Sequence, residues 1–314
     1  MSKLQAGPEA ALLLPSPIMT KPTDQGLVLV RHLIASQFPE WAGLAIEAGP
    51  SGGTDNSIYR LGEDKVIRLP RRASAVEPIR KERHWLPRLA PHLPLEIPAP
   101  LGTGAPDATF PYPWSVYRWL DGENLLERPP TDLADTAHRL GKFVNALQSV
   151  DPTGGPRSVR ATPVNPDDDT AVRTTIEKFA TAGLLDPAPT LAVWKTALQT
   201  PPWTNPPVWI HGDLYTGNLL GQHGQLSAVI DFGLLGLGDP ACDLLPAWSL
   251  LTAETREIFR DQVGVDDDSW NRGRGWALSA GLGAVAVYGD TNPTLAVPGR
   301  HAITQAVEDF RTLD

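Results

Sequence analysis

Residues 207–233 read PVWIHGDLYTGNLLGQHGQLSAVIDFG, and the rest of the chain is organised around this stretch. It opens with a short apolar strand at 208–210. Two more apolar runs, at 218–220 and 226–230, lie on either side of the sequence GQHG, and this pattern predicts a β-hairpin with a four-residue turn. A hairpin returns the chain to its starting end, so the residues at the two ends of the hairpin are expected to be neighbours.

Three oxygen-bearing side chains are therefore expected on one rim. Asn218 opens the first strand, Asp231 closes the second, and Asp213 lies in the loop before Asn218. Oxygen ligands of this kind suit Mg²⁺, which takes few protein ligands and leaves positions for phosphate and water. We interpret Asn218 and Asp231 as metal ligands. Asp213 can then accept or orient the proton of an attacking hydroxyl, which makes it the candidate catalytic residue.

The segment 211–218, HGDLYTGN, resembles H-x-D-x-x-x-x-N, the catalytic loop of aminoglycoside phosphotransferases and related small-molecule kinases. The segment 230–233, IDFG, resembles the metal-binding segment that follows this loop in the family. Tyr215 departs from the pattern, because relatives often carry His, Ser or Asn there. The resemblance covers about 44–290 and implies an α+β, bilobal protein-kinase-like fold, with a small antiparallel-sheet N-lobe and a larger helical C-lobe.

The chain is expected to divide into an N-terminal arm at 1–22, a nucleotide-binding N-lobe at 23–120 and a catalytic, substrate-binding C-lobe at 121–314. In the N-lobe, the residue patterns predict a helix at 24–37, strands at 44–48, 57–61, 65–69 and 114–120, a helix beginning at Pro78, and a loop marked by Pro94, Pro98 and Pro100. In the C-lobe, they predict helices at 133–150 with Thr131 as the cap, at 170–182 and 189–199, from Asp239 and Pro240 onward, and at 253–263, 268–289 and 294–312, with a loop at 151–169.

The nucleotide site is predicted in the N-lobe. Gly52 and Gly53 belong to a glycine-rich segment, 49–56, whose backbone N–H groups can cover phosphates, although a plain hairpin loop fits the pattern equally well. The segment resembles the nucleotide-covering loop of the family. Arg68 ends the third strand, and Glu82 lies within an apolar helix face, where a buried carboxylate needs a partner such as Arg68.

The kinase pattern places a strand lysine between the nucleotide phosphates and a helix glutamate. The resemblance therefore implies that Arg68, held by Glu82, binds phosphate, with Lys65 as the alternative. It also implies that main-chain groups of Arg118 and Leu120 pair with the edge of the purine.

Two further residues are expected to support the 211–218 loop. His211 is interpreted as a structural hydrogen-bonding residue, because Asp213 is better placed to act as a base. The resemblance implies that Asp243 braces the loop and does not touch substrate.

Composition argues against several classes of partner. The chain has 314 residues, a net charge of −9 and one cysteine, Cys242. The negative charge argues against nucleic acid or an anionic membrane as partner, and a single cysteine excludes an intrachain disulfide or a cysteine-rich zinc site. No apolar run approaches the length of a membrane span, and the run at 10–14 is too short for a signal segment, so the cytoplasm is the expected location. The sequence does not indicate an oligomeric state.

The predicted function is transfer of the γ-phosphoryl group of ATP or GTP to a hydroxyl of a small molecule. An aminoglycoside-like, cationic acceptor is favoured, because the net charge and the family resemblance point the same way. The segments expected to form the acceptor pocket, 151–200 and the helices after 250, carry carboxylates at 167–169, 266–268 and 290. Three alternatives stay open: an apolar pocket of Trp and Leu suited to a macrolide, a metabolite kinase for an amino alcohol or sugar, and a nucleotide-binding pseudokinase without turnover.

Overall fold

The computed structural model describes residues 24–49 and 55–312 of the chain. The arm predicted for 1–22, as well as Gly52 and Gly53, lies outside the described residues. Within them, a small antiparallel sheet with two helices precedes a larger helical region, as predicted.

The N-lobe is built on a five-stranded antiparallel sheet in the order β1-β2-β3-β5-β4. Its strands are β1 (Ile46–Ala48), β2 (Asn56–Leu61), β3 (Lys65–Pro70), β4 (Pro100–Gly104) and β5 (Trp114–Arg118). Successive side chains of a strand point to opposite faces. In β3, Ile67 and Leu69 are buried in an apolar cluster with the helix α1 (Asp24–Gln37), and Arg68 lies on the other face. This alternation directs Arg68 toward the helix α2 (Val76–Leu89).

Two N-lobe predictions are wrong in detail. Pro100 was predicted to mark a loop, but it begins β4. The strand lies at the edge of the sheet, where a missing N–H is tolerated. The second N-lobe helix begins two residues before Pro78, which is tolerated because the first turn of a helix has no intrahelical partner for its N–H groups.

The C-lobe is mostly helical. Its helices are α3 (Leu133–Gln148), α4 (Asp169–Thr181), α5 (Pro187–Gln199), α6 (Pro246–Ser249), α7 (Ala253–Val263), α8 (Asp267–Tyr288) and α9 (Pro293–Arg311). The single helix predicted from Asp239 and Pro240 onward is instead a 3-10 helix, Pro240–Leu244, followed by α6. Pro246 separates the two, because a proline in a helix interior removes a hydrogen bond. None of the helices within 24–49 and 55–312 is long and apolar enough to span a membrane.

Short strands complete the C-lobe around the stretch 207–233. They are β6 (Glu123–Asn124), β7 (Val208–Ile210), β8 (Leu219–Gln222), β9 (Gln225–Val229) and β10 (Gly236–Gly238). Strands β8 and β9 form the predicted hairpin, but its turn has two residues, because Gln222 pairs directly with Gln225. His223 and Gly224 both have positive φ, at 52° and 81°, as a type I′ turn requires.

Asp132, and not Thr131 as predicted, caps α3. Its carboxylate accepts the N–H groups of Ala134 and Asp135 at 2.9 and 3.0 Å, whereas the Thr131 hydroxyl donates to the Gly224 carbonyl at 3.2 Å. The Thr131 side chain is thus used to hold the hairpin turn, and the next residue supplies the cap.

Asp132→Ala is expected to lower the free energy of unfolding by about 0.5–2 kcal/mol, the usual worth of an N-cap side chain. Chemical denaturation measures the loss. Thr131→Ala is the matched control and should cost less, because it removes only an exposed hydrogen bond. Equal losses in the two variants would contradict the assignment of the cap.

Candidate active site

The hairpin brings its two ends together, as predicted. The Ile230 N–H donates to the Asn218 carbonyl at 2.9 Å, so Asp231 follows directly beside Asn218. Asp231 has φ 62° and ψ 68°, a left-handed conformation that is uncommon outside glycine. Its side chain is 52% exposed and is directed to the rim of the site.

Asn218 and Asp213 are linked within the 211–218 loop. The Asn218 Nδ2 group donates to the Asp213 carbonyl at 2.9 Å and to Asp213 Oδ2 at 3.2 Å. Both amide hydrogens therefore face Asp213, which leaves the Asn218 amide oxygen available to another ligand. Burial and the Asp231 carboxylate raise the pKa of Asp213 to about 6, and Arg160 opposes that rise.

Both ring nitrogens of His211 make hydrogen bonds. Its Nδ1 accepts the Asp213 N–H at 3.2 Å, and the Ile230 carbonyl lies 3.0 Å from Nε2, which must be the protonated nitrogen because a carbonyl only accepts. Burial lowers the pKa of His211 to about 4, so the ring is neutral at pH 7. His211 has no free nitrogen to act as a base, which agrees with the structural interpretation.

Asp243 contacts the main chain of the same loop. Its carboxylate accepts the N–H groups of His211 and Gly212 at 2.6 and 2.9 Å. Burial raises the pKa of Asp243 to about 7, although both N–H donors oppose that rise. Gly212 is required here, because its φ is +84° and a Cβ would lie 2.7 Å from the Leu234 carbonyl oxygen.

Arg68 and Glu82 form the ion pair that the sequence predicts. Arg68 Nη1 lies 3.0 and 2.9 Å from the two Glu82 carboxylate oxygens, and Nη2 lies 3.3 Å from Asp231 Oδ1. Burial alone would lower the pKa of Arg68, but Glu82 and Asp231 raise it above its usual value. Lys65, the alternative, instead pairs with Asp64 at 2.7 Å. One guanidinium thus bridges the helix of the N-lobe and the rim of the C-lobe.

Tyr117 completes this group and was missed by the sequence analysis. Its hydroxyl donates to Glu82 Oε2 at 2.7 Å, and its ring lies 5.5 Å from the Arg68 guanidinium carbon. Burial raises the pKa of Tyr117, so the phenol stays protonated and can only donate to the carboxylate. The apolar pattern of 114–120 gave no signal for it, because the contact depends on how β5 pairs with β3.

The expectation for Arg118 needs correction. Its N–H donates to the Ala99 carbonyl at 2.8 Å and is not free for a purine, because β5 continues pairing past its end toward β4. The Leu120 main chain makes no hydrogen bond within the part of the chain that the structure describes. The main-chain groups of Leu120 can therefore meet a ligand.

The predicted loop at 151–169 also has a defined place. The Ser158 hydroxyl donates to the Leu234 carbonyl at 2.7 Å, and the Leu237 N–H donates to the Pro156 carbonyl at 2.7 Å. Ser158 is buried. The segment after Asp231 is thus held to the loop at 151–169 by one side-chain and one main-chain hydrogen bond, which the sequence analysis did not anticipate.

The acidic residues expected in the acceptor pocket are partly engaged elsewhere. Asp266 caps α8, and Asp267 pairs with Arg260. Asp169 binds Arg173 and the Trp194 indole. Asp169 and Asp267 are thus paired with arginine side chains of the protein, and Asp266 accepts the main-chain N–H of Ser269.

The metal prediction can be compared with the available ligands. Across the described ranges, no group of three or more His, Cys, Asp or Glu side chains is arranged to hold a metal ion. Asn218 and Asp231 nevertheless offer two oxygen ligands at neighbouring main-chain positions. Such a pair fits Mg²⁺, which takes its remaining ligands from phosphate and water, and does not fit an all-protein metal cage.

The family model described as the phosphotransferase enzyme family matches residues 48–277, which is most of the chain. The chain belongs to this family. Its predicted resemblance to aminoglycoside phosphotransferases and its predicted protein-kinase-like fold are thereby confirmed. No curated protein matches the phosphotransferase at a significant level.

Solved structures with the same fold share little sequence with this phosphotransferase. The GDP complex of wild-type aminoglycoside 2'-phosphotransferase-IIIa has a TM-score of 0.65 and 19% identity, over 90% of this chain and 99% of that chain. The apoenzyme of macrolide 2'-phosphotransferase MphH from Brachybacterium faecium has a TM-score of 0.58 and 22% identity, over 86% and 97%. At these identities the likeness establishes the fold alone.

Tyr117→Phe tests the buried group. The change leaves the ring but deprives the buried Glu82 carboxylate of one donor, and a hydrogen bond to a charged group is worth about 1.5–3 kcal/mol. We expect a loss of that size in the free energy of unfolding, measured by chemical denaturation. Tyr112→Phe, at a half-buried tyrosine of the N-lobe, is the control. A loss no larger than that of the control would contradict the role of Tyr117.

Proposed function

We propose that this phosphotransferase transfers the γ-phosphoryl group of ATP or GTP to a hydroxyl of a small molecule. The observation that carries the proposal is the placement of Asp213, Asn218 and Asp231 on one rim, with the Arg68 guanidinium reaching the same rim. Two carboxylates, one amide and one fixed cation are the groups that phosphoryl transfer requires. A pseudokinase has no need to retain them together.

Asp213 is proposed as the residue that orients or deprotonates the acceptor hydroxyl. Its pKa of about 6, raised by burial and by the Asp231 carboxylate, leaves it ionised at pH 7 and still basic enough to accept a proton. The two Asn218 contacts fix its direction. His211 is neutral and doubly bonded, so it is proposed to hold the loop and not to take the proton.

Asn218 and Asp231 are proposed to hold Mg²⁺, which supplies positive charge to the phosphates when it is bound. Arg68, held by Glu82, is proposed to bind phosphate oxygens from the N-lobe side. Main-chain groups of Leu120 are proposed to meet the purine. Gly52 and Gly53 remain the proposed phosphate cover, in a segment outside the described residues.

For the acceptor, an aminoglycoside-like antibiotic is proposed on the basis of the net charge of −9. One observation favours a second candidate, a less charged acceptor such as a macrolide. The positive charge of Arg160, whose guanidinium lies 4.9 Å from the Trp276 ring centre, opposes the rise in the pKa of Asp213, so the protein already supplies one positive charge that acts on this carboxylate. The deciding experiment is phosphorylation of aminoglycosides, macrolides and amino alcohols at low and high salt. Salt should raise KM for the cationic acceptors only.

Asp213→Asn is expected to keep nucleotide binding and to lower kcat by roughly 10²–10⁴-fold, the usual worth of a positioned acid–base group. Steady-state kinetics on the best acceptor of the panel measures the loss. Asp261→Asn, an exposed aspartate of α7, is the control. Unchanged turnover in Asp213→Asn would reject the assignment.

Asp231→Ala is expected to affect nucleotide affinity differently with and without Mg²⁺. With the metal, affinity should fall, because one proposed ligand is gone. Without it, affinity should rise or stay level, because Arg68 no longer shares its charge with a carboxylate. Calorimetric titrations with and without Mg²⁺ measure both effects. Equal affinities for wild type under the two conditions would refute the metal role.

A further inference from the structure

Arg272, a buried arginine of α8, joins three parts of the C-lobe that are distant in sequence. Its Nε donates to Asp239 Oδ2 at 2.7 Å, and its Nη2 donates to Asp239 Oδ1 at 3.3 Å. Nη1 donates to the Pro201 carbonyl at 2.7 Å, and Nη2 also donates to the Ser269 hydroxyl oxygen at 3.0 Å. The side chain is only 5% exposed, so these bonds take the place of water around a planar group whose donors point in fixed directions.

Asp239, the partner of Arg272, begins the 3-10 helix Pro240–Leu244. Its Oδ1 caps that helix by accepting the Ala241 N–H at 2.9 Å, and its own N–H donates to the Ala161 carbonyl at 3.0 Å. The Asp239 carboxylate is buried, and a buried charge without a partner is costly. The ion pair with Arg272 therefore determines where the 3-10 helix begins.

The same short helix carries Asp243, which holds the 211–218 loop. The Asp243 carboxylate accepts the N–H groups of His211 and Gly212 at 2.6 and 2.9 Å. The next residue of the chain is Asp213, the proposed catalytic residue. At about 2 Å of rise per residue in a 3-10 helix, the main chains of Asp239 and Asp243 are about 8 Å apart. A shift at the start of this helix is therefore passed on to the main chain beside Asp213.

The contacts that hold the 3-10 helix differ in how much they fix its direction. Gly273 brings α8 close to it, because a Cβ there would lie 2.8 Å from Leu244 Cδ1 and 2.9 Å from Leu244 Cβ. Apolar packing of this kind limits the separation of two elements, but it is not directional. Gln148 Nε2 reaches the Pro240 carbonyl at the longer distance of 3.4 Å. The fork of Arg272, which bonds both oxygens of one carboxylate, adds the direction that packing lacks.

We propose that Arg272 is a positioning residue for the phosphoryl transfer: through Asp239 and the 3-10 helix it fixes Asp243, and thereby the main chain that carries Asp213. The proposal rests on the proposed function, because it concerns the geometry of the residue that receives the acceptor hydroxyl. Arg272 acts on that geometry through a carboxylate and does not contact substrate. Lysine keeps the positive charge but lacks the planar fork, so Arg272→Lys removes the direction and keeps the charge.

The kinetic test compares Arg272→Lys with Arg274→Lys. Arg274 lies on the same helix, its side chain is 3% exposed, and its Nε is also 2.7 Å from a carboxylate oxygen, that of Asp309 on α9. Both changes should lower the melting temperature, because each weakens a buried ion pair. Well below both melting temperatures, only Arg272→Lys should lower kcat, by roughly tenfold or more, since a misplacement of about 1 Å can cost 10²-fold. An unchanged kcat, or an equal fall in both variants, would overturn the proposal.

Nucleotide affinity without Mg²⁺ is the second readout. In the proposed function it depends on Arg68 and Leu120 of the N-lobe, so calorimetry should give the same affinity for Arg272→Lys and wild type. A fall in affinity as large as the fall in kcat would indicate general damage to the fold and would contradict a positioning role.

Asp239→Asn tests the connection between Arg272 and the loop. Asparagine still caps the 3-10 helix but lacks the charge that Arg272 binds. The kcat of this variant should fall, and the double variant with Arg272→Lys should lose less than the product of the two single losses, because both changes break the same contact. Losses that multiply would show that the two residues act separately and would refute the connection.

Hydrogen exchange separates this proposal from the proposed function. In Arg272→Lys, the amides of His211 and Gly212 should exchange faster than in wild type, because Asp243 holds them less firmly. They should exchange at the wild-type rate in Arg274→Lys. This readout needs no turnover, so if wild type phosphorylates none of the acceptors, the proposed function fails while the positioning by Arg272 is still tested. Unchanged exchange of both amides in Arg272→Lys would refute the positioning even in an active enzyme.

Discussion

One carboxylate, that of Asp243, fixes the main chain on which the candidate site is built. It accepts hydrogen bonds from the N–H groups of His211 and Gly212. Because Asp243 is buried, water cannot replace either bond if it is lost. The 3-10 helix that bears it is anchored in turn by Asp239, which pairs with Arg272 of α8 at 2.7 Å. The direction of the 211–218 loop thus depends on a helix far along the chain.

Arg68 links the N-lobe to the candidate site. It lies in the sheet, its ion-pair partner Glu82 lies on α2, and its free edge reaches Asp231 of the C-lobe. Because Tyr117 also donates to Glu82, the carboxylate has donors enough to remain buried beside one guanidinium. Arg68 pairs with the carboxylates of both Glu82 and Asp231. A ligand that binds Asp231 therefore changes how strongly Arg68 can bind another anion.

The surroundings of the 211–218 loop are assembled from segments that are remote from one another in sequence. Ser158 of the loop at 151–169 holds the segment after Asp231, and Tyr215 holds the start of α9. Both contacts end on main-chain carbonyls, which fixes backbone position without demanding a particular partner side chain.

The sequence alone determined the features that depend on residues close together in the chain. These are the helices indicated by the spacing of apolar residues, the hairpin, and the placement of Asn218 and Asp231 at the same end of that hairpin. Two errors at this level concerned Pro100, which was predicted in a loop, and Gly221, which was predicted in the hairpin turn. Both residues belong to strands, because pairing with a neighbouring strand, and not the local sequence, decides where a strand begins or ends. Only the tertiary structure showed the hydrogen bonds from Tyr117 to Glu82 and from Tyr215 to Leu295. The partners are 35 and 80 residues apart in sequence. A phenol in an apolar run looks the same whether or not a carboxylate or carbonyl faces it, because that partner is set by how the elements pack and not by the local pattern.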